Sequence, residues 1–279
     1  MSTWKPNCKI YLPGALGDNI MQIPFGLSAS GITEPNEIYP ALDIYADISK
    51  QHHERGNTES ENAAMRTVNM QMDLLRLQPY VRTIIVSKKY DSEWLKENNI
   101  IDTDYQRQNH DIIDMGRGDI LWRNCCQHRC LRYWNAYNPW LYLPDDNSYD
   151  VWRGKIIVNS TPRYANNNVT WRSLHKYADR CVFIGLKKDL DMFYYRSYLM
   201  PEYYEVKDFI DMAQVIKHCA FFVGSQSFPA CLAESMKVNR IIVQAVRVPD
   251  LLPKGGVGNA IVTEDDFEIT LQMYADEFL

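Results

Sequence analysis

No run in the 279-residue chain approaches the roughly 18 apolar residues that cross a bilayer as a helix. The opening residues, MSTWKPNCKI, also lack the apolar core of a signal peptide. Basic charge is in short supply: 30 Lys and Arg against 35 Asp and Glu leave a net charge of −5. That balance argues against nucleic-acid partners and polybasic membrane binding, both of which need a basic face. The seven cysteines are odd in number and lie mostly in apolar or helical patterns, which fits a reduced, cytoplasmic setting. Cys125-Cys126-Gln127-His128-Arg129-Cys130 invites a zinc reading. Its ligands fall within one or two helical turns, however, with no second cluster to complete a tetrahedral site, so no metal is expected. Internal repeats and low-complexity segments are absent. What remains is an ordinary soluble composition, 46% apolar and 23% charged, long enough for two compact domains. Eighteen tyrosines and seven tryptophans are many, enough to line a polar sugar-like site as well as to pack a core.

The chain is organised around Ala220–Met236, AFFVGSQSFPACLAESM. Ala220–Val223 reads as a strand, Gly224-Ser225-Gln226-Ser227 as a turn, and Phe228–Met236 as a helix with Pro229 in its first turn. Such a junction points several backbone N–H groups one way with the helix dipole behind them, a geometry that holds phosphates. The alternative is an ordinary strand–loop–helix corner.

In chain order, Cys8–Leu12 predicts a strand, Pro13–Asp18 a glycine turn and Asn19–Leu27 a helix, the usual start of a doubly wound sheet. Glu37–Leu42 predicts a second strand, and Asp47–Asn57 a polar loop carrying His52, His53 and Arg55. Thr58 and Glu61 match a capping box ahead of a helix striped with Met65, Val68, Met72 and Leu75, which Pro79 ends. Further expected elements are strands at Thr83–Ser87, Asp111–Met115 and Trp140–Leu143, and helices at Ser92–Asn98 and Asn124–Tyr137. Pro144–Ser148 is a polar linker. A second series follows: strands Lys155–Asn159, Cys181–Leu186 and Arg240–Ala245, and helices Trp171–Tyr177, Asp208–His218 and a last one at Thr263–Leu279. These halves predict two Rossmann-like domains, 1–146 and 150–262, facing a cleft, with helix 263–279 crossing back to the first.

Ser160, Thr161 and Arg163 follow a strand end, where Arg163 could offer a diphosphate a planar pair of donors or form a surface salt bridge instead. Ser225, Gln226 and Ser227 add neutral donors at a helix start, and Glu234 is a candidate acceptor for a ribose hydroxyl or else a plain ion-pair partner. Arg247 and Lys254 are further phosphate candidates.

Four pieces, GALGDNIMQIP (Gly14–Pro24), IIVNSTPRY (Ile156–Tyr164), CVFIGLKKDLDMF (Cys181–Phe193) and AFFVGSQSFPACLAESMKVNRIIV (Ala220–Val243), occur in the order and spacing of the heptosyltransferase-like glycosyltransferases of family 9, which the chain resembles. The resemblance implies the two-domain GT-B fold and an inverting, metal-independent transfer of a sugar from a nucleotide-sugar donor to a glycan or other hydroxyl acceptor. No cofactor is implied. It places Asp18 as the catalytic base; the other reading of Asp18 is a cap for a helix beginning at Asn19. Gly14 and Gly17, with His52, His53 and Arg55, then belong to the acceptor side. Ser160, Thr161, Arg163, Gly185, Gly224, Ser225, Gln226, Ser227 and Glu234 belong to the donor side. The chain departs from the family at Gln226 and Cys231, where an Asp and a His are common, and at Asn168-Val169-Thr170, where a phosphate lysine has no counterpart. The donor is therefore not expected to be ADP-heptose in particular. A nucleotide-sugar-binding protein without turnover and a sugar-nucleotide epimerase stand as alternatives; the second would need a set of cleft acids and histidines that the sequence does not assemble.

Overall fold

A computed structural model describes residues 8–13, 15–32, 39–48, 61–103, 136–246 and 251–279. The chain divides into two compact units, Met1–Tyr142 and Leu143–Leu279. Each is built on a parallel sheet.

The first unit runs β1 (Cys8–Leu12), α1 (Leu16–Met21), α2 (Ile23–Ala29), β2 (Leu42–Asp47), α3 (Glu61–Arg76), β3 (Val81–Ser87), α4 (Ser92–Glu97) and β4 (Ile101–Asp102). Its strand order is β3-β2-β1-β4. Pro24 explains why the helix expected over Asn19–Leu27 arrives as two. Proline has no N–H to give the carbonyl four residues back, Ile20, and the indole N–H of buried Trp140 takes that carbonyl instead at 3.1 Å. Trp140–Leu143, expected as a strand, is found in no ladder because side chains take its backbone groups. The Tyr142 N–H donates to Gln78 Oε1 at 2.7 Å, and the Trp140 carbonyl accepts from Tyr80 OH at 2.5 Å. The second strand is β2 rather than Glu37–Leu42; Pro40 lacks a ladder donor, whereas Leu42–Asp47 pairs along its whole length with β1 or β3. Thr58, the strand expected at Asp111–Met115 and the Cys125–Cys130 stretch lie outside the described residues.

The second unit runs β5 (Ile156–Asn159), β6 (Cys181–Ile184), α5 (Lys187–Ser197), β7 (Glu202–Tyr204), α6 (Phe209–His218), β8 (Phe221–Ser225), α7 (Phe228–Met236), β9 (Arg240–Val243), β10 (Gly258–Ile261) and α8 (Glu264–Phe278). The sheet order is β10-β9-β8-β5-β6-β7, so the winding reverses between β5 and β8. The central strands are buried at every position, as helices on both faces require. One face carries Ile156, Val158, Phe183, Phe221, Val223, Ile241 and Val243. Thr263 caps α8 through Asp266 N. The sequence reading carried this helix back to the first half, but its stripe of Phe267, Leu271 and Tyr274 packs into the second unit's own core.

Candidate functional site

Parallel sheets bind ligands outside the carboxyl ends of their strands where the winding reverses. In the second unit that point lies between the ends of β5 and β8, and it brings Thr161, Ser225 and Ser227 together. The Thr161 N–H donates to Ser225 Oγ at 3.1 Å, and the Ser227 N–H donates to the Ser225 carbonyl at 2.7 Å. Ser227 Oγ donates to Asn159 Oδ1 at 2.6 Å, and Asn159 Nδ2 donates to the Ile184 carbonyl at 2.8 Å. Tyr203 OH extends the chain to the Gly185 carbonyl at 3.0 Å. One hydrogen-bonded line thus crosses the ends of β8, β5, β6 and β7.

Two glycines let the line close. Gly185 has φ +129°, and a Cβ there would sit 2.7 Å from Asn159 Nδ2. A Cβ on Gly224 would meet the Phe222 ring at 2.5 Å and the Asn159 carbonyl at 3.1 Å. Gly224 and Ser225 are the last residues of β8 rather than the start of a turn.

Ser227 is the N-cap of α7, yet its hydroxyl makes no cap bond and is turned instead to Asn159 Oδ1 and, at 3.2 Å, to the Ser225 carbonyl. Pro229 has no N–H to satisfy. The remaining first-turn N–H groups keep the partial positive charge of a helix start. Ser160 and Gln226 are buried beside this line. Arg163 is exposed on the short turn Pro162–Tyr164, its guanidinium 5.2 Å from the Tyr164 ring centroid.

Glu234 is a different matter. It is fully buried near the far end of α7, where Oε2 accepts from Arg240 Nε at 2.5 Å and Oε1 from Lys237 Nζ at 2.5 Å. The Lys254 N–H adds a third bond at 3.1 Å. Arg240 begins β9 and also binds the carbonyls of Lys254 and Gly255, so the cluster lies at the amino ends of the strands. Burial pushes the Glu234 carboxyl up and the Lys237 ammonium down to about 8, while their mutual attraction opposes both shifts. Glu234 is therefore an internal anchor, not a ribose acceptor, because both oxygens are used and no solvent reaches them. Lys254 is likewise held at the wrong edge for a phosphate, and burial lowers it to about 8.

In the first unit, Asp18 is buried at the third position of α1, whose N-cap is Ala15. Capping a helix that begins at Asn19 is thereby ruled out. Buried amides lock this turn: Asn19 Nδ2 donates to Gln71 Oε1 at 3.0 Å, and Gln71 Nε2 to the Leu16 carbonyl at 2.6 Å. Gln22 Nε2 reaches the Thr103 carbonyl, just past β4, at 3.2 Å. Gly17 lies inside α1 rather than in a turn. Gly14, His52, His53, Arg55 and Arg247 lie outside the described residues.

The fold can be set against known structures. The glycosyl transferase family 9 protein from Veillonella parvula DSM 2008 superimposes with a TM-score of 0.60 at 13% identity, over 98% of this chain and 90% of that one. The fold is GT-B. The GT-B likeness extends to E. coli ADP-heptose lps heptosyltransferase II, with a TM-score of 0.54 at 10% identity over 97% and 99% of the two chains. It extends also to E. coli heptosyltransferase WaaC with ADP, with a TM-score of 0.52 at 10% identity over 98% and 99%. No family profile and no curated protein matches the sequence. Among the described residues no helix is long and apolar enough to cross a membrane.

The segment that departs from the family pattern has its own use in this GT-B chain. Thr170 Oγ1 donates to Glu264 Oε2 at 3.1 Å, and Arg196 Nη2 donates to the Val169 carbonyl at 3.0 Å, which pins Asn168–Thr170 to α8 and α5. Asn159 was missed in the sequence. Its signal was a polar amide closing an otherwise apolar strand, IIVN.

Proposed function

We propose that the chain transfers a sugar from a nucleotide-sugar donor, held by the second unit, to an acceptor hydroxyl on the first. The observation that carries this reading is the start of α7 at the switch point, where Ser227 is diverted to Asn159 and leaves the helix without a side-chain cap. A diphosphate has the charge and the acceptor oxygens to complete such a helix end. Two heptosyltransferase structures of like fold are described with ADP and with ADP-2-deoxy-2-fluoro heptose, and the same class of donor is assigned here.

In this scheme the acceptor oxygen attacks the anomeric carbon and its proton passes to Asp18. The bond to the β-phosphate oxygen breaks, and the electron pair leaves with the diphosphate. The N–H groups of α7 and the Arg163 guanidinium take up that charge, so no step is assigned to a metal or cofactor. Direct displacement inverts the anomeric centre.

Calorimetric titration of the full chain with ADP, UDP, GDP and CDP, then with their sugars, tests the reading. At least one pair should bind, and ligand at a hundred times Kd should raise stability by about 2.7 kcal/mol. Failure of every nucleotide to bind would overturn it. Binding without any transfer or hydrolysis product would favour a sugar-nucleotide binder, an outcome for which neutral Gln226 and Cys231 give a reason.

A further inference from the structure

The first unit carries an aromatic assembly that the transfer scheme leaves unused. Tyr11 of β1 and Tyr45 of β2 are in register on adjacent parallel strands and share a sheet face. Tyr90 and Trp94, from the β3–α4 connection and α4, close over them. The Tyr90 ring stands edge-on to Tyr11 and to Tyr45, with centroids 5.7 Å away in both cases, and stacks with Trp94 at 5.4 Å and 23°. Trp94 meets Tyr45 at 5.8 Å. Three of the four rings are tied further: Tyr11 OH bonds Asp47, Tyr90 OH bonds the Ile85 carbonyl at 3.2 Å, and Asp91 caps α4 through Glu93 N and Trp94 N.

This packing fixes an indole that is nonetheless 39% exposed. One Trp94 face lies on Tyr90 and the Tyr45 ring meets it at 63°, while part of the residue stays open to solvent. Among the described residues, neither the Trp94 indole N–H nor the Tyr45 hydroxyl makes a hydrogen bond, although their rings touch. Two polar tips without a protein partner among the described residues thus sit beside a packed, partly exposed indole.

We infer that Trp94, Tyr45 and Tyr90 form a subsite for a neutral pyranose ring of a glycan acceptor. A pyranose offers one face of C–H groups, which suits the negative face of an indole, and a rim of hydroxyls, which suits an N–H donor and a phenol. Because the rings are already held by one another, ordering them on binding costs little. The position is consistent with an acceptor role: Asp47 ends β2, and the Tyr90 connection follows the end of β3, both at the carboxyl edge on which Asp18 lies. The assignment as acceptor rests on the transfer reading, whereas saccharide binding at Trp94 does not.

Ligand-observed NMR on the full chain, with glucose, galactose, mannose, N-acetylglucosamine, maltose, cellobiose, lactose and chitobiose as probes, tests it. At least one saccharide should bind the wild type. Trp94→Ala should weaken it about tenfold or more, the scale of one lost aromatic contact. Trp94→Phe should retain most of the affinity, and Tyr45→Phe should lose only a hydrogen bond's share. Trp94 is exposed, so circular dichroism should show each variant folded. No binding by any probe, or equal binding by Trp94→Ala, would overturn the inference. The nucleoside diphosphate titration should be unchanged in Trp94→Ala; if no nucleotide binds either protein, the transfer reading fails while the saccharide result still decides the subsite.

Discussion

Ser227 and Asn159 meet across the gap at which the second sheet changes direction, the serine hydroxyl donating to the amide oxygen at 2.6 Å. The contact joins the N-cap of α7 to the last residue of β5. It therefore spends a capping hydroxyl on sheet geometry and leaves the helix start for something else.

Asn159 is the first target. Asn159→Ala removes an acceptor for Ser227 and a donor to the Ile184 carbonyl, and should lower unfolding free energy by about 1–3 kcal/mol in urea titration. Asn159→Asp should lose a similar amount, since a carboxylate cannot donate to Ile184. It should also weaken nucleoside diphosphates while sparing the uncharged nucleosides. Equal effects on both ligands would place the phosphates away from β5.

Arg163 and Ser227 should separate charge from neutral contact. Arg163→Ala is expected to weaken nucleoside diphosphate binding by about 1.5–3 kcal/mol, the scale of a charge-assisted hydrogen bond. Ser227→Ala should cost less, because its hydroxyl already serves Asn159. Titration calorimetry reads both, and unchanged affinity in the arginine variant would move the phosphates elsewhere.

Asp18→Asn probes the base. The side chain is at the third position of α1, whose N-cap is Ala15, and circular dichroism should show the amide variant folded. Loss of a general base should lower kcat by about 10²–10⁴ with donor affinity intact. Transfer near the wild-type rate would remove Asp18 from the mechanism.

Gly185→Ala should be among the more damaging single-methyl changes in the chain. The backbone there holds φ +129°, and the added carbon would fall 2.7 Å from Asn159 Nδ2. A cost of about 1–3 kcal/mol follows from the strained backbone alone. Donor affinity should fall with it, because Asn159 must move.

Lys254 gives stability a pH signature. Burial lowers its ammonium from 10.5 to about 8 in the folded state. Between those values the unfolded chain binds more protons, so this residue makes stability rise with pH over that window. Lys254→Met should flatten the rise, as chemical denaturation at pH 7.5 and pH 10 would show. An unchanged slope would mean that the ammonium is hydrated in the native state.

The alternation of apolar strands and amphipathic helices revealed both sheets, and α7 was read to the residue because Pro229 and the apolar run bound it on either side. Edge elements were less visible. Glu202–Tyr204 and Gly258–Ile261 are short and half-exposed, and a strand covered on one side only lacks the solid apolar run of β5. Helix α5 was missed for a related reason: Met192, Tyr194 and Tyr195 face solvent and blur its stripe. For the candidate site, residue types and loop positions could be read, and three residues named that way, Thr161, Ser225 and Ser227, lie together at the switch point. Which end of a helix a side chain serves could not. Glu234 looked like a ligand until Arg240, six residues on, turned out to claim it. Asn159 looked like the end of a strand until its two partners, from β6 and the start of α7, came into place.

The switch point also sets a schedule for the ribosome. Asn159 and Ser227 lie 68 residues apart, and β5 finds its central neighbour β8 only after β6, α5, β7 and α6 have been made. A nascent chain can assemble β5, β6 and β7 early, but that half-sheet has an edge of unpaired backbone N–H and C=O groups until β8 emerges. Translation that stalls between Asn159 and Phe221 should expose this edge to chaperones and proteases, while a stall late enough for β8, β9 and β10 to have emerged should not.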